Sequence, residues 1–397
     1  MPANVYFDNG ASTKVDARVV EEMLPYFSNS YGNASSLHSS GREARAALDA
    51  SRAKIAAGVN ARPEELVFTS GGTESNNFAL KGVAFANREK GKHIVVSSIE
   101  HDCVMNSCRW LEDQGFEVTY LPVDRHGLVN VDSIEGGIRK DTVLVSVMHA
   151  NNEIGTAEPI TEIGRVCREH GVYFHTDACQ SFGKVPIDVR EQNIDLMTIN
   201  SHKIYGPKGV GALFVREGVR ISAWQHGGGH EFGLRSSTEN VPGIVGFAKA
   251  SELCYREVTD GEPGRLMQLR DRLIEGVTLG VREAYLNGHR EMRLPNNANF
   301  GFHGYEGEAI KIMLELDELG IEVSTGSACS SRQERNMPSH VLVAIGLNPV
   351  EARGALRITL GRYNTQSEVD YFVECLPSIM KSLRPISSYV PGGSGVG

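Results

Sequence analysis

Short apolar segments alternate with helix-like segments through the first two-thirds of the chain. These segments are rich in β-branched residues and end in small or polar ones, so we expect them to be strands. Strands that alternate with helices predict a mainly parallel sheet with helices on both faces, because each parallel crossover requires a covering segment. The chain is therefore predicted to be an α/β protein with strands at 65–69, 93–97, 143–148, 172–176, 196–199 and 210–215.

The pattern changes after about residue 260. A charged helix is predicted at 265–281, strand-like residues at 296–302, and further helices at 306–319 and 367–383. This order is typical of an α+β unit, so a second, smaller domain is expected. We predict a large domain at 16–260, a small domain formed by 1–15 and 261–390, and a mobile glycine-rich tail at 391–397.

Composition and charge exclude several classes of protein. The 397 residues carry a formal net charge of −9 and the basic residues form no stripe, so neither nucleic acid nor an anionic membrane is an expected partner. The sequence contains no run of 18 apolar residues and no signal-like start, which favours the cytoplasm. Its seven cysteines form no metal-binding spacing, so no disulfide framework and no metal site are expected.

Ligands of parallel sheets bind outside the carboxyl ends of the strands, so the residues that follow each strand are the first candidates for chemistry. Gly72 and Thr73 follow the first predicted strand and precede a helical pattern. Backbone N–H groups at a helix N-terminus suit a phosphate. The alternative is an ordinary glycine turn that Thr73 caps.

Three further polar residues follow strands of the same predicted sheet. Asp177 would keep a pyridine nitrogen protonated if it lay beneath such a ring, although a turn or cap residue is the alternative. His101 is a candidate for acid–base work, and a structural histidine is the alternative. Lys203 precedes a turn rich in glycine and proline, and a buried lysine with a lowered pKa is what Schiff-base formation requires.

Two residues in the last quarter of the chain also stand out. Cys329 lies among small and polar residues in a stretch with little periodicity, where an exposed, reactive thiol is expected. Arg357 lies inside an apolar strand, where an unpaired charge would be costly. It either binds a substrate carboxylate or forms a structural ion pair, and the sequence leaves both interpretations open.

Together these segments resemble the pyridoxal-phosphate-dependent cysteine desulfurases of iron–sulfur cluster and nitrogenase assembly, within the class-V aminotransferase family. The resemblance runs from residue 6 to residue 365, which is nearly the whole chain. It implies a PLP-dependent aminotransferase-like fold. The motifs that carry it are YFDN at 6–9, YGN at 31–33, SSLH at 35–38, GTESN at 72–76, EH at 100–101, NNEIG at 151–155, HTD at 175–177, SHK at 201–203, RSST at 235–238, SAC at 327–329 and GRYNT at 361–365.

The resemblance implies a role for each matching residue. Lys203 would bind pyridoxal 5'-phosphate covalently and move protons, while His101 would stack on the ring and Asp177 would pair with its nitrogen. Arg357 would bind the carboxylate of L-cysteine, with Asn152 beside it. Further cofactor contacts are expected from Gly72, Thr73, Asn152, Gln180, Asn200, Ser201, His202 and, across a homodimer, Thr238.

The implied reaction converts L-cysteine to L-alanine and leaves the sulfur on Cys329 as a persulfide. The expected acceptors are an iron–sulfur scaffold protein and other sulfur carriers, and Cys329 would transiently bind a cluster together with the scaffold. An aminotransferase, a selenocysteine lyase or another amino-acid lyase would share the fold without needing Cys329. A non-catalytic scaffold would need neither Lys203 nor Cys329.

Several residues depart from the family pattern. They include Gly10, Gly71, the Asp102-Cys103 pair directly after His101, Cys179 between Asp177 and Gln180, and Asn200 where many relatives have serine. Cys179 is either a redox-sensitive thiol near the cofactor or a buried, inert one.

Overall fold

The computed structural model describes residues 4–326 and 338–383. Within them, the main sheet has seven strands in the order β2-β8-β7-β6-β5-β3-β4. Strand β8 runs antiparallel to both of its neighbours, and the other pairings are parallel. The strands are β2 Leu66–Thr69, β3 His93–Ser97, β4 Glu117–Leu121, β5 Thr142–Ser146, β6 Tyr173–Asp177, β7 Leu196–Asn200 and β8 Gly211–Val215.

Helices cover both faces of this sheet, as the alternating pattern predicts. One apolar cluster packs Leu48 and Phe247 against strand residues such as Phe174, and a second packs Phe78 and Leu111 against others such as Ile94. The α/β prediction is confirmed. The helices are α1 Ala17–Met23, α2 Pro25–Ser28, α3 Ser39–Ala57, α4 Gly72–Ala86, α5 Asp102–Asp113, α6 Val131–Gly137, α7 Ile160–Glu169 and α8 Val241–Thr259.

Most of the remaining elements contribute to a separate apolar cluster that joins the start of the chain to its last third. Phe7 packs there with Phe300 and Phe372. Strand β1 (Val5–Tyr6) pairs with β11 (Ile321–Glu322), and a three-stranded antiparallel sheet has the order β12-β10-β9. The other elements are α9 Glu262–Gly280, β9 Ala284–Asn287, β10 Asn297–Phe302, α10 Ala309–Glu318, α11 His340–Ala344, α12 Pro349–Ala352, β12 Leu356–Thr359 and α13 Gln366–Ser382.

The predicted elements agree with these bounds to within a few residues. Strand β4 and the short strands β1, β9 and β11 were not predicted from the sequence. The two clusters of the main sheet lie before residue 260, whereas a smaller cluster packs Ile99 and Met148 against Val341 and Leu342, and the domain limits stay a prediction. The tail at 391–397 lies outside the described residues. No helix within the described ranges is long and apolar enough to span a membrane.

Candidate active site

One edge of the main sheet collects most of the predicted site residues. The strands β2, β3, β5, β6 and β7 are parallel to one another, so their carboxyl ends lie at the same edge. The structure therefore brings the corresponding loops together. These loops carry Gly72 and Thr73 after β2, His101 after β3, Asn152 after β5, Gln180 after Asp177 at the end of β6, and Ser201, His202 and Lys203 after Asn200 at the end of β7.

Helix α4 begins at Gly72, and Gly71 is its N-cap residue with a φ of 151°. Thr73 is therefore the second helical residue, so the alternative that Thr73 caps the helix is wrong. A Cβ atom on Gly72 would lie 2.6 Å from the Cys179 sulfur, so the close approach of these two segments requires glycine. Because the 15-residue helix α4 begins directly after β2, the positive end of its dipole lies at this edge of the sheet.

The end of β7 supplies buried polar groups that lack protein partners. Among the described residues, Asn200 Oδ1 and Ser201 Oγ have no hydrogen-bond partner although both are buried. Burial, and then the charges of nearby lysines, lowers the pKa of His202 to about 4, so its ring is neutral. Lys203, two residues after Ser201, is also buried and only 8% exposed.

Asp177 is held by two hydrogen-bond donors. Its Oδ2 accepts from the Asn76 side-chain amide at 2.6 Å, and its Oδ1 accepts from the backbone N–H of Cys179 at 2.9 Å. These two hydrogen bonds fix the orientation of the carboxylate at the end of β6. Burial and the charge of Asp177 raise the pKa of Cys179 well above its usual value, which favours the inert interpretation of this thiol.

His101 is the N-cap residue of α5, and its Nδ1 accepts the backbone N–H of Cys103 at 3.2 Å. The preceding residue, Glu100, is fully buried. Burial raises the pKa of Glu100 to about 8, while Ser97 and the backbone N–H of Met148 donate to its Oε1. The turn that presents His101 is therefore held by buried hydrogen bonds.

The surroundings of Arg357 agree in part with each of its two predicted roles, the structural ion pair and the binding of a substrate carboxylate. It lies in β12 and is buried; its Nη2 pairs with Asp8 at 2.9 Å, and its Nη1 donates to the Asn152 carbonyl at 3.0 Å. Its Nε has no partner among the described residues, and neither has the Asn152 side-chain oxygen. An ion pair is therefore present, and unsatisfied donor and acceptor atoms remain beside it.

Gln180 and Thr238 have different surroundings. The side-chain amide of Gln180 donates to the Gly10 carbonyl at 3.0 Å, so this donor already has a protein partner. Thr238 is exposed on a loop that the ion pair between Arg235 and Glu74, at 2.8 Å, ties to the start of α4. That exposure is compatible with the predicted contact across a homodimer.

Cys329 lies outside the described residues, within 327–337. The chain approaches that segment through Ser324, whose backbone exchanges two hydrogen bonds with Arg357, at 3.1 and 2.7 Å. On the far side, the hydroxyl of Ser339 donates to the Glu153 carboxylate at 2.6 Å. The described residues on the two sides of this segment therefore hydrogen-bond to Arg357 and to Glu153, which directly follows Asn152.

Sequence reasoning assigned no role to three residues of the site. Asp8 and Asn76 belong to motifs that were recognised, but only the structure shows that they pair with Arg357 and Asp177. Cys103 was noted as a departure, and its sulfur contacts both Asn76 and His101. A carboxylate and an amide far apart in sequence carry no signal of their pairing, so these contacts could not be found from one sequence.

The arrangement fits a phosphorylated pyridine cofactor. It offers a helix N-terminus for the phosphate and a buried lysine for the aldehyde. For the ring nitrogen it offers the Asp177 carboxylate, which two protein donors hold in place. Buried polar atoms without partners, at the ends of β5, β6 and β7, are available for further contacts: Asn152 Oδ1, Thr176 Oγ1, Asn200 Oδ1 and Ser201 Oγ. Among the described residues no group of three or more His, Cys, Asp or Glu side chains could hold a metal ion.

Comparison with known proteins agrees with this class of site. The family model of class-V aminotransferases matches residues 5–372, so the chain belongs to that family. Within it, the chain is 51% identical over 387 residues to the cysteine desulfurase IscS of Methanosarcina thermophila, covering 98% of this chain and 94% of that protein. It is 53% identical over 382 residues to the cysteine desulfurase IscS 1 of Archaeoglobus fulgidus, covering 96% and 98%. The chain thus belongs to the cysteine desulfurase group of the family.

Solved structures show the same likeness. A structure titled "NIFS-LIKE PROTEIN" superposes with a TM-score of 0.88 at 38% identity and covers 96% of this chain and all of that one. A structure titled "SspA in complex with cysteine" superposes with a TM-score of 0.79 at 40% identity, covering 91% of this chain and all of that one. The predicted fold class and family are confirmed.

Proposed function

We propose that this protein is a cysteine desulfurase that converts L-cysteine to L-alanine and passes the sulfur, as a persulfide on Cys329, to acceptors for iron–sulfur cluster assembly. The proposal rests on the placement of two residues: buried Lys203 follows β7, and the doubly hydrogen-bonded Asp177 lies at the end of the adjacent parallel strand β6. It is supported by the two relatives that are 51% and 53% identical in sequence to this chain, both of which are named as cysteine desulfurases.

Pyridoxal 5'-phosphate is the cofactor that these residues would hold. Lys203 would bind its aldehyde carbon, Asp177 its ring nitrogen and His101 the face of its ring. When bound, the cofactor supplies an electron sink for bonds at the substrate α-carbon. The phosphate would be held by Gly72, Thr73, Ser201, His202 and Thr238 of a second subunit, with Asn152, Gln180 and Asn200 completing the contacts.

The chain's own groups then perform the binding and proton steps. The Nε of Arg357 would donate to the substrate carboxylate, which gives this buried donor the partner it lacks, and Asn152 would lie beside it. The amine of Lys203 would move a proton at the substrate α-carbon, and the His101 ring would hold one nearby.

The sulfur step requires Cys329 as a thiolate. Its sulfur would form a bond to the substrate sulfur while the carbon–sulfur bond breaks and its electron pair stays on the substrate carbon. Protonation of that carbon gives L-alanine, and Cys329 keeps the sulfur as a persulfide.

The remaining parts of the proposal concern assembly and context. We propose a homodimer, because Thr238 is exposed in the single chain and would complete the site of a second copy. The division into a large domain at 16–260 and a small domain at 1–15 and 261–390 is proposed on the separation of the apolar clusters. An iron–sulfur scaffold and other sulfur carriers are the proposed partners, and the cytoplasm is the proposed compartment.

The test uses the purified protein and two variants. The native protein is expected to show a visible cofactor band and to release sulfide and alanine in equal amounts from L-cysteine with a reductant. Lys203→Ala is expected to lose the band, whereas Cys329→Ala keeps the band and loses turnover. A colourless native protein would contradict the cofactor assignment. Full sulfide release by Cys329→Ala would favour an amino-acid lyase.

A further inference from the structure

A half-buried thiol connects two groups of the candidate active site that lie on different strand ends. Cys103 is the second residue of α5. Its sulfur lies 3.1 Å from Nδ1 of His101 and 3.2 Å from the side-chain nitrogen of Asn76. That same nitrogen of Asn76 donates to Asp177 at 2.6 Å. Four side chains therefore form one continuous series of contacts from His101 to Asp177.

The hydrogens of Asn76 determine the direction of this series. Its amide nitrogen carries two hydrogens, of which one is directed to the Asp177 carboxylate and the other to the Cys103 sulfur. Exchanging the amide oxygen and nitrogen would place an oxygen against the carboxylate, so the orientation of this amide is fixed. The sulfur consequently accepts a hydrogen bond from Asn76.

The thiol hydrogen has an acceptor on the opposite side. The Nδ1 of His101 already accepts the backbone N–H of Cys103, so it carries a lone pair and no proton. The sulfur lies within hydrogen-bond distance of the same nitrogen. The thiol can therefore accept from Asn76 and donate to His101 at the same time, and it shares the Nδ1 lone pair with the backbone N–H of Cys103 in a three-centre hydrogen bond.

We infer that Cys103 is a positioning residue that ties the imidazole of His101, through Asn76, to the carboxylate of Asp177. The inference rests on the proposed function, in which His101 contacts the cofactor ring and Asp177 its nitrogen. A cofactor held between these two groups requires them in a fixed relative geometry. The Cys103 link supplies it from inside the protein, because Asn76 is fully buried.

The other described thiols lack this arrangement. Burial raises the pKa of Cys108, Cys167 and Cys254, and these three side chains are buried in apolar clusters. Cys179 contacts Asp177 directly, through its backbone N–H and its thiol, and not through Asn76. The inference therefore concerns Cys103 alone.

The experiment compares Cys103→Ala, which removes the donor and acceptor, with Cys103→Ser, which keeps both. Cys375→Ala is the matched control, because Cys375 is also half-buried but lies on α13 in the other apolar cluster. Two quantities are measured: the ring ¹⁵N resonances of His101 in cofactor-free protein with labelled histidine, and the dissociation constant of pyridoxal 5'-phosphate from fluorescence titration.

The Ala variant is expected to shift the Nδ1 resonance of His101 and to bind the cofactor about 3- to 10-fold more weakly, as expected when one hydrogen bond is lost. The Ser variant and the Cys375→Ala control are expected to bind within about twofold of the native protein, a factor smaller than one net hydrogen bond contributes. Equal losses in the Ala and Ser variants, or an Ala variant identical to the native protein, would overturn the inference. Because the NMR measurement needs no cofactor, a native protein that fails to bind it would contradict the proposed function and leave the link itself testable.

Discussion

The ion pair between Arg357 and Asp8 allows a test that separates a structural from a substrate-binding role. The proposed change is Asp8→Asn, which keeps an acceptor oxygen for Arg357 and removes the charge. Arg357 is 1% exposed, so it would remain buried without a counter-charge. Removing one partner of a fully buried pair costs about 3–5 kcal/mol.

The expected cost here is smaller than that range. Burial raises the pKa of Asp8 despite the opposing charge of Arg357, so desolvation already offsets part of the attraction. Arg357 also keeps its hydrogen bond to the Asn152 carbonyl. We expect Asp8→Asn to lower the free energy of unfolding by about 1–3 kcal/mol, in the range of a single charged hydrogen bond.

The decisive measurement adds a carboxylate ligand. If Arg357 binds the substrate carboxylate, L-alanine, which carries the same carboxylate but no sulfur, should supply the missing negative charge. Chemical unfolding of the cofactor-loaded protein is measured with and without saturating L-alanine. We expect L-alanine to stabilise Asp8→Asn more than the native protein, by about 1 kcal/mol or more. Equal stabilisation of both proteins would refute the carboxylate-binding role, and an unchanged stability of Asp8→Asn would refute the ion pair.

Three further predictions concern two other residues of the site and one buried ion pair elsewhere in the protein. Glu100→Gln tests the buried carboxyl group. Because burial raises the folded-state pKa of Glu100 to about 8, the free energy of unfolding of the native protein should fall by at most about 5 kcal/mol as the pH rises from about 5 to about 8. Unfolding curves of the variant, measured over the same pH range, should lack this slope. Gly72→Ala should weaken cofactor binding tenfold or more, because the new Cβ atom would clash with the Cys179 sulfur. The double variant Gly72→Ala/Cys179→Ala should recover part of the affinity. A double variant that binds as weakly as Gly72→Ala would show that the clash is not the cause. Arg52→Ala leaves Glu231 buried without its 2.6 Å partner and should cost about 3–5 kcal/mol in chemical unfolding, whereas a loss below about 1 kcal/mol would contradict the estimate.

Local pattern was sufficient for much of the fold. The strands of the main sheet were predictable where β-branched residues are consecutive and buried, as in β3 and β5. Strand β4 was missed because it lies at the edge of the sheet and exposes Glu117, so its pattern is weaker. The pairing of β1 with β11 joins residues more than 300 positions apart, and no local signal reports such a contact.

The residues of the candidate site likewise divide into those that a local pattern predicts and those that only the folded chain brings into contact. Lys203, Asp177 and His101 were predictable because each follows a recognisable strand and belongs to a motif. The partners Asn76, which holds Asp177, and Asp8, which pairs with Arg357, were not predictable, because these contacts exist only in the folded chain. The two interpretations of Arg357 could not be separated from sequence, since an arginine in an apolar strand requires a partner in either case.

The most direct test of the central claim follows the sulfur atom itself. The protein is given one equivalent of L-cysteine labelled at sulfur, without reductant, and the label is located by peptide mapping in the native protein, Lys203→Ala and Cys329→Ala. If Cys329 receives the sulfur in a reaction that needs Lys203, the label is found on the peptide that contains Cys329 in the native protein only. Label on a peptide that contains Cys103 or another cysteine, or labelling of Cys329 that persists in Lys203→Ala, would contradict it.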